Sequence, residues 1–364
     1  MKKVLLMSNT VMHYRVSVYN YFTEKFRNDG WELFVRTNKL QSSNKNPHQF
    51  DLKEIPLSFG ACTREIAAVK PDAVIVFLHL KDRVIWPLLH WLKLGRIPFA
   101  YWTKGANLDD ADNPIRNMAF HYIHTLSDRL ILYSSHEMKY VGHYNTGKVF
   151  IANNTVNYHD YPAIMASKQQ IKQELGIPFE RVVLFAGRMG IDGGRKKVAH
   201  LIEVFRNLNC YGAGLVIVGS GLSEELQSSM NPRTTQYLGE VHDPANITIS
   251  KIFAMADIFC IPGHVGLGLN QAMYWGLPVV TEEGKQPPEF HYLVDGRNGF
   301  VVAENDIAAL RKRLILLLEN KELREKLGQN AREDLLKEAS IDNMYSSFYH
   351  CVESVVPGKP EIVQ

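Results

Sequence analysis

Cysteine is scarce in this chain and widely scattered. Cys62, Cys210, Cys260 and Cys351 are the four among 364 residues, and no two form a Cys-x-x-Cys pair. That spacing offers neither a zinc site nor a disulfide framework, and it fits a reducing, cytoplasmic setting. Long apolar runs are missing as well. The nearest approach to a membrane span, Val84 to Trp102, is broken by Lys93, Arg96 and two prolines. The opening Met1–Met7 has too short an apolar run for a secretory leader before Ser8-Asn9-Thr10 ends it, and a first buried strand is expected there. No Gly-x-Gly-x-x-Gly follows that strand, which argues against a bound dinucleotide cofactor. Internal repeats and low-complexity tracts are also lacking.

What is present is a globular composition, 46% hydrophobic, on a chain too long for one core. Its net charge of +3 hides an asymmetry. Residues 1–158 carry 20 Lys and Arg against 13 Asp and Glu, a net of +7; residues 159–364 carry 21 against 25, a net of −4. A basic half suits an anionic partner such as lipid headgroups, a lipid diphosphate or nucleic acid, though undirected drift of surface charge explains the same numbers.

Strand-like and helix-like runs alternate throughout. Val4–Met7, Glu32–Thr37, Ala73–Phe77, Phe99–Trp102 and Arg129–Ser134 read as strands, with helices at Arg15–Arg27 and Asn113–Thr125. In the first helix Val18, Phe22 and Phe26 share one face. A second series runs through Arg181–Ala186, Val198–Leu208, Gly214–Val218, Thr235–Leu238 and Ile247–Ala256. The helices Ile307–Leu318, Leu323–Lys337 and Asn343–Val355 follow. This alternation predicts parallel sheets covered by helices on both faces.

Ala256 to Val302 is the most informative stretch. A short apolar strand, Ile258–Ile261, runs into Pro262-Gly263-His264-Val265-Gly266, and a helix follows over Leu267–Trp275. A glycine turn that opens a helix at a strand end is a natural anion site, because the first helical amides are unpaired and the helix dipole favours a phosphate. Gln271 lies one turn into that helix.

This stretch resembles the nucleotide-sugar-binding segment of the retaining GT-B glycosyltransferases of the family-four type. The matching residues are Gln271-Ala272-Met273, Gly276-Leu277-Pro278-Val279-Val280, Pro288-Glu289 and Asp295-Gly296-Arg297-Asn298-Gly299. Two glutamates of the family pattern are replaced, by Gly263 and Gln271. Gln271 retains hydrogen-bonding capacity for ribose, whereas Gly263 cannot stand in for a carboxylate on the donor sugar. The resemblance implies an α/β GT-B fold, two Rossmann-like domains facing a central cleft. Residues 1–158 would form the acceptor domain and 159–340 the nucleotide-sugar domain, with 341–364 a helix packing back on the first.

The resemblance also assigns roles. Gly187-Arg188 and one of the cations Arg195, Lys196 and Lys197 would clamp the donor diphosphate, and Lys196 fits best by its distance to Leu201. Fixed cations there would stabilise charge on the leaving nucleotide without a metal. Tyr237–Val241, with Glu240 and Val241, resembles the loop whose backbone reads the base. Gly266, Leu267 and Gly268 would line the phosphate turn. Glu289 would touch donor or acceptor hydroxyls, or else cap the next helix. On the acceptor side stand His13, Tyr14 and Arg15 after the first strand, and Lys104-Gly105 after Phe99–Trp102; a surface position without a role is the alternative for His13 and Lys104.

Trp86, Trp91 and their leucine neighbours, with Arg83, Lys93 and Arg96, fit either a membrane-facing surface or a buried helix with charged ends, and the buried helix is favoured. The leading expectation is a cytoplasmic retaining transferase of bacterial surface-polysaccharide synthesis. It would use a nucleotide diphosphate sugar as co-substrate, no cofactor or metal, and a glycan or lipid-linked acceptor, with peripheral contact to the inner membrane face and no nucleic acid. A nucleotide-sugar epimerase of the same fold and a non-catalytic nucleotide-sugar-binding partner are the alternatives.

Overall fold

The computed structural model describes residues 1–41, 47–111, 113–208, 210–241, 243 and 245–356. The chain divides into two units. One comprises Met1–Asn157 with the C-terminal segment that begins at Ala339, and the other Tyr158–Glu338.

In the first unit seven strands form one all-parallel sheet. They are β1 (Lys2–Val11), β2 (Trp31–Leu40), β3 (Asp51–Glu54), β4 (Ala73–Phe77), β5 (Phe99–Thr103), β6 (Arg129–Leu132) and β7 (Val149–Ile151), in the order β3-β2-β1-β4-β5-β6-β7. Val4 to Met7 are at most 2% exposed because helices cover both faces of a central parallel strand. Alternate residues of β4 feed opposite cores: Ile75 joins Val18, Phe22 and Phe26 on one face, and Val74 and Val76 join Leu88, Leu89 and Leu92 on the other. The sequence periodicity did not reveal β3 or the helix Phe59–Val69. The segment Ile85–Leu94 is a helix whose Ile85, Leu88, Leu89 and Leu92 are buried, in keeping with the buried-helix expectation.

The helix Ile341–Val355 belongs to this first unit. Ser340 caps it through Asn343 N at 3.0 Å. Phe348 meets Phe22 at 5.0 Å and Trp102 at 4.8 Å between ring centroids. Trp31 Nε1 donates to Glu353 Oε1 at 2.8 Å, and Lys2 Nζ lies 3.1 Å from the same oxygen. Of the expected segment 341–364, residues 357–364 lie outside the described residues.

The second unit holds six parallel strands: β8 (Arg181–Ala186), β9 (Ala213–Val218), β10 (Thr235–Tyr237), β11 (Ile258–Cys260), β12 (Val279–Glu282) and β13 (Gly299–Val302), ordered β10-β9-β8-β11-β12-β13. Tyr158, expected to close the first domain, groups with this unit instead: its ring stacks on Tyr274 at 4.5 Å and 2°.

Both sheets reverse their strand order once, between β1 and β4 in the first and between β8 and β11 in the second. Ligands of open parallel sheets bind at the carboxyl ends of the strands beside such a reversal. No helix among the described residues is long and apolar enough to cross a membrane.

Candidate active site

The reversal in the second unit brings together the two segments that carry the sequence signal. Gly187-Arg188-Met189 leaves β8, and Pro262–Gly266 leaves β11. Gly187 N donates to Val218 O at 2.9 Å and Met189 N to Ser220 O at 2.8 Å. Gly219, at φ +130°, would place a Cβ 2.0 Å from Gly187 O, so these strand ends touch backbone to backbone and admit no side chain. Gly266, at φ +58°, stands at the N-cap of the helix Leu267–Tyr274 and supplies no side-chain cap. Gly268 is explained by packing: a Cβ there would lie 3.3 Å from Phe259 Cζ and 3.4 Å from Ala186 O.

The turn Ile191–Lys196 is laid across the β11 exit. Gly263 N donates to Lys196 O at 3.1 Å and His264 N to Arg195 O at 2.7 Å. A Cβ at position 263 would sit 1.9 Å from Arg195 O. The glycine that departs from the family pattern is therefore required by this turn. Lys196 runs inward past Gly187, where a Cβ would meet its Cε at 2.8 Å, and its Nζ donates to His264 O at 3.0 Å and Val265 O at 3.3 Å. A Cβ at Gly266 would lie 4.0 Å from the same nitrogen.

Lys197 points elsewhere. Its ammonium lies 3.1 Å from Glu282 Oε2, 2.9 Å from Glu304 Oε1 and 2.8 Å from Asn305 Oδ1. Glu282 is wholly buried, and its other oxygen lies 2.5 Å from His200 Nδ1. Arg195 is exposed. Of the three cations the sequence offered, the geometry puts Lys196 at the glycine turn and uses Lys197 to hold the turn from behind.

Burial lowers the Lys196 ammonium to about 8, against the opposing pull of the Glu289 carboxylate. Glu289 is 5% exposed in the short turn Pro288–Tyr292. Gln286, absent from the sequence reading, braces the loop: its Nε2 donates to Gly263 O at 3.1 Å and Glu282 O at 2.8 Å, and its Oε1 accepts from Val265 N at 3.1 Å. Glu282 and Gln286 left no motif; only their place after β12 could have pointed to them.

Arg188 is exposed and Gln271 half-buried, and among the described residues neither side chain makes a hydrogen bond. At the β10 end, Gly239 O accepts from Gly219 N at 2.8 Å and Tyr237 Oη donates to Gly219 O at 2.7 Å. These bonds join the Glu240-Val241 loop to the same edge. Glu240 is exposed and Val241 half-buried.

The first unit presents the other expected residues at the carboxyl ends of β1 and β5. His13 is exposed and bonded to Gln41 Oε1, at 3.3 Å from its amide and 3.2 Å from Nδ1. Tyr14 meets His13 edge to face at 5.5 Å. Lys104 is exposed, with Nζ 5.5 Å from the Tyr133 ring centre. Gly105 adopts φ +75°, and a Cβ there would lie 3.1 Å from Glu137 O. Arg15 is the correction. It is 2% exposed, bonded to Asn154 Oδ1 at 2.7 Å and packed 4.5 Å from the Trp102 ring centre, so its charge serves the unit's interior rather than an acceptor. No cluster of three or more His, Cys, Asp or Glu side chains among the described residues is placed to hold a metal.

Residues 167–334 match the family model described as glycosyl transferases group 1. That match lies within the second unit. Two curated relatives each match a little under half of this chain: the sulfoquinovosyl transferase SQD2 of Arabidopsis thaliana, 25% identical over 48% of this chain and 34% of that protein, and the capsular polysaccharide biosynthesis glycosyltransferase CapM of Staphylococcus aureus, 24% identical over 46% of each. The chain thus spans less than half the length of either relative. Among solved structures, Anabaena Alr3699/HepE in complex with UDP and glucose aligns with a TM-score of 0.74 at 15% identity, covering 97% of this chain and all of that one. That likeness shows the fold, the two parallel-sheet α/β units of the GT-B type.

Proposed function

We propose that this chain is a retaining glycosyltransferase. It moves a hexosyl group from a nucleotide diphosphate sugar to a glycan or lipid-linked acceptor in bacterial surface-polysaccharide synthesis, on the cytoplasmic side of the membrane. The observation that carries the reading is Lys196, a half-buried side chain whose ammonium is held at the mouth of the uncapped helix Leu267–Tyr274, beside Gly187-Arg188. A donor diphosphate there would meet the helix amides, Lys196 and the exposed Arg188 together. As the sugar–phosphate bond breaks, these fixed charges stabilise the leaving nucleotide. No side chain is assigned as a nucleophile. Attack by the acceptor hydroxyl on the departing face, with the phosphate taking the proton, retains configuration and needs positioning more than a carboxylate base.

The relatives' names fit this reading, one transferring sulfoquinovosyl groups and one acting in capsular polysaccharide biosynthesis. The steric demand at position 263 also gives its glycine a cause other than lost activity, which weighs against the non-catalytic alternative.

The test is thermal unfolding with UDP, GDP, ADP, CMP and dTDP. A ligand at a hundred times its Kd adds about 2.7 kcal/mol of stability. A shift selective for one diphosphate and lost in Arg188→Ala is expected, and it names the base. No shift with any nucleotide overturns the donor site. Release of free sugar from the matching nucleotide sugar without any acceptor would favour the epimerase-type alternative.

A further inference from the structure

The helices Ile85–Leu94 and Pro114–Leu126 of the first unit meet through His90 and Tyr122. His90 Nε2 lies 2.5 Å from Tyr122 Oη, and His90 Nδ1 lies 2.7 Å from Trp86 O, one turn earlier in its own helix. A carbonyl oxygen only accepts, so Nδ1 carries the proton of the neutral ring and Nε2 presents its lone pair to the phenol. The backbone orients the base, and the base orients the hydroxyl. A nucleophile within hydrogen-bond reach of a base that a third group holds in place is the arrangement that activates side-chain hydroxyls for covalent chemistry.

Tyr122 is also open to reagents, at 48% exposed, while His90 is half-buried. Its ring is fixed: Trp86 stacks on it at 6.5 Å and 26°, and the His90 ring lies 5.6 Å away. Helical side chains lean towards the N-terminus, so Tyr122 covers the turn that carries Met118, itself 69% exposed. A phenol flanked by an indole and a thioether suits an apolar acyl group better than a polyanionic phosphoryl donor. We propose that Tyr122, with His90 as its general base, is an acylation site that takes an acyl group from activated esters. The phenolic oxygen attacks the ester carbonyl carbon while its proton passes to His90 Nε2. The bond from that carbon to the leaving oxygen then breaks, the departing oxygen recovers the proton from Nε2, and O-acyl-Tyr122 and the free alcohol remain. The site shares no residue with the donor turn, so it stands whether or not the chain transfers sugars.

A hydrogen bond that merely joins the two helices would need no base. His90→Gln separates the roles, because its amide oxygen still accepts from the phenol but cannot take the proton. The test incubates the full chain with p-nitrophenyl butyrate at neutral pH and follows acylation of each tyrosine by peptide mass. Tyr144 and Tyr211, 95% and 92% exposed, are controls within the same molecule. Tyr122 should be acylated about tenfold or more faster than either, should fall to their level in His90→Gln, and its label should be absent in Tyr122→Phe. Thermal unfolding checks that both variants are folded. A rate at Tyr122 no higher than at Tyr144 and Tyr211 overturns the proposal, as does a rate unchanged in His90→Gln.

Discussion

The carboxyl edges of the two sheets are built in opposite ways. In the second unit the edge is stitched backbone to backbone: Gly187 meets Gly219, Gly219 bonds Gly239, and Gly263 lies under Arg195 O. The half-buried Lys196 has its ammonium pinned among carbonyl groups, with Lys197, Glu282 and Gln286 bracing from behind. In the first unit the corresponding edge is open. His13 and Lys104 stand in solvent, and Arg15, a strongly held cation, is turned inward on Trp102. A preformed edge suits a ligand whose charge is always the same, such as a diphosphate. The open edge leaves recognition to exposed side chains, so substitutions at the two edges should differ sharply in effect.

Removing Lys196 tests that contrast hardest. Lys196→Ala should cut kcat by about a hundredfold or more, with Arg188→Ala close behind, since each removes fixed positive charge from the leaving group. Steady-state kinetics on the folded variants measures this, and a loss under about tenfold would take the residue out of the site. The depressed ammonium adds a pH signature. Lys196 titrates near 8 in the empty site, so kcat/KM should decline as pH rises through about 8, and that limb should be absent in Lys196→Arg. The low value also implies that the ammonium is held against its desolvation cost, so the unliganded fold gains stability as pH rises from about 8 towards the ordinary lysine value.

Acid should separate the units in the other direction. His124 in the first unit is wholly buried, neither ring nitrogen has a hydrogen-bond partner among the described residues, and burial lowers its pKa to about 4. Its unfolded value is near 6.5, so the unfolded chain binds the extra proton between those limits. The stability contributed by the neutral ring is complete above about 6.5 and falls by about 3 kcal/mol as pH drops to about 4. Urea unfolding followed across this range should lose most of that slope in His124→Phe. An unchanged slope would place the acid sensitivity elsewhere.

Position 263 probes how much of the donor edge is steric. Gly263→Ala must displace Arg195 O, and a cost of about 2 kcal/mol in stability with a matching loss of diphosphate binding is expected. Gly263→Glu, which restores the carboxylate of the family pattern, should do worse rather than better, as measured by nucleotide-dependent thermal shift. A gain of activity in Gly263→Glu would mean that the turn Ile191–Lys196 yields easily, and the account of the glycine would fall.

These positions also show what the sequence could and could not disclose. The parallel sheets were legible because buried strands read as short apolar runs and their helices as 3.6-residue periodicities. Gly187-Arg188 and the glycine turn before Leu267 were legible as a motif, because phosphate chemistry demands open backbone at a helix start. The sequence favoured Lys196 over Arg195 and Lys197 only by its distance to Leu201; where the three side chains go depends on a turn, in which Lys197 adopts φ 51°. Glu282 and Gln286 act through contacts more than eighty and twenty residues distant in sequence, respectively, which no local pattern reports. Arg15 was misplaced for a related reason. A charged residue at a helix start reads as exposed, and only the tertiary partners Trp102 and Asn154 reveal that it is buried.

The smallest effects should come from the open edge of the first unit. His13→Ala loses the Nδ1 contact to Gln41 and one ring contact with Tyr14, both at the surface, while its amide bond to Gln41 remains, so stability should change by less than about 0.5 kcal/mol. If His13 and Lys104 meet the acceptor, each alanine variant should raise the acceptor KM by about tenfold or less while leaving the nucleotide-induced thermal shift untouched. That split separates acceptor contact from donor chemistry, because a donor-side residue would alter the nucleotide shift first. Equal loss of nucleotide binding in His13→Ala and Lys196→Ala would erase the contrast, and the exposed histidine would have to be counted with the donor site rather than apart from it.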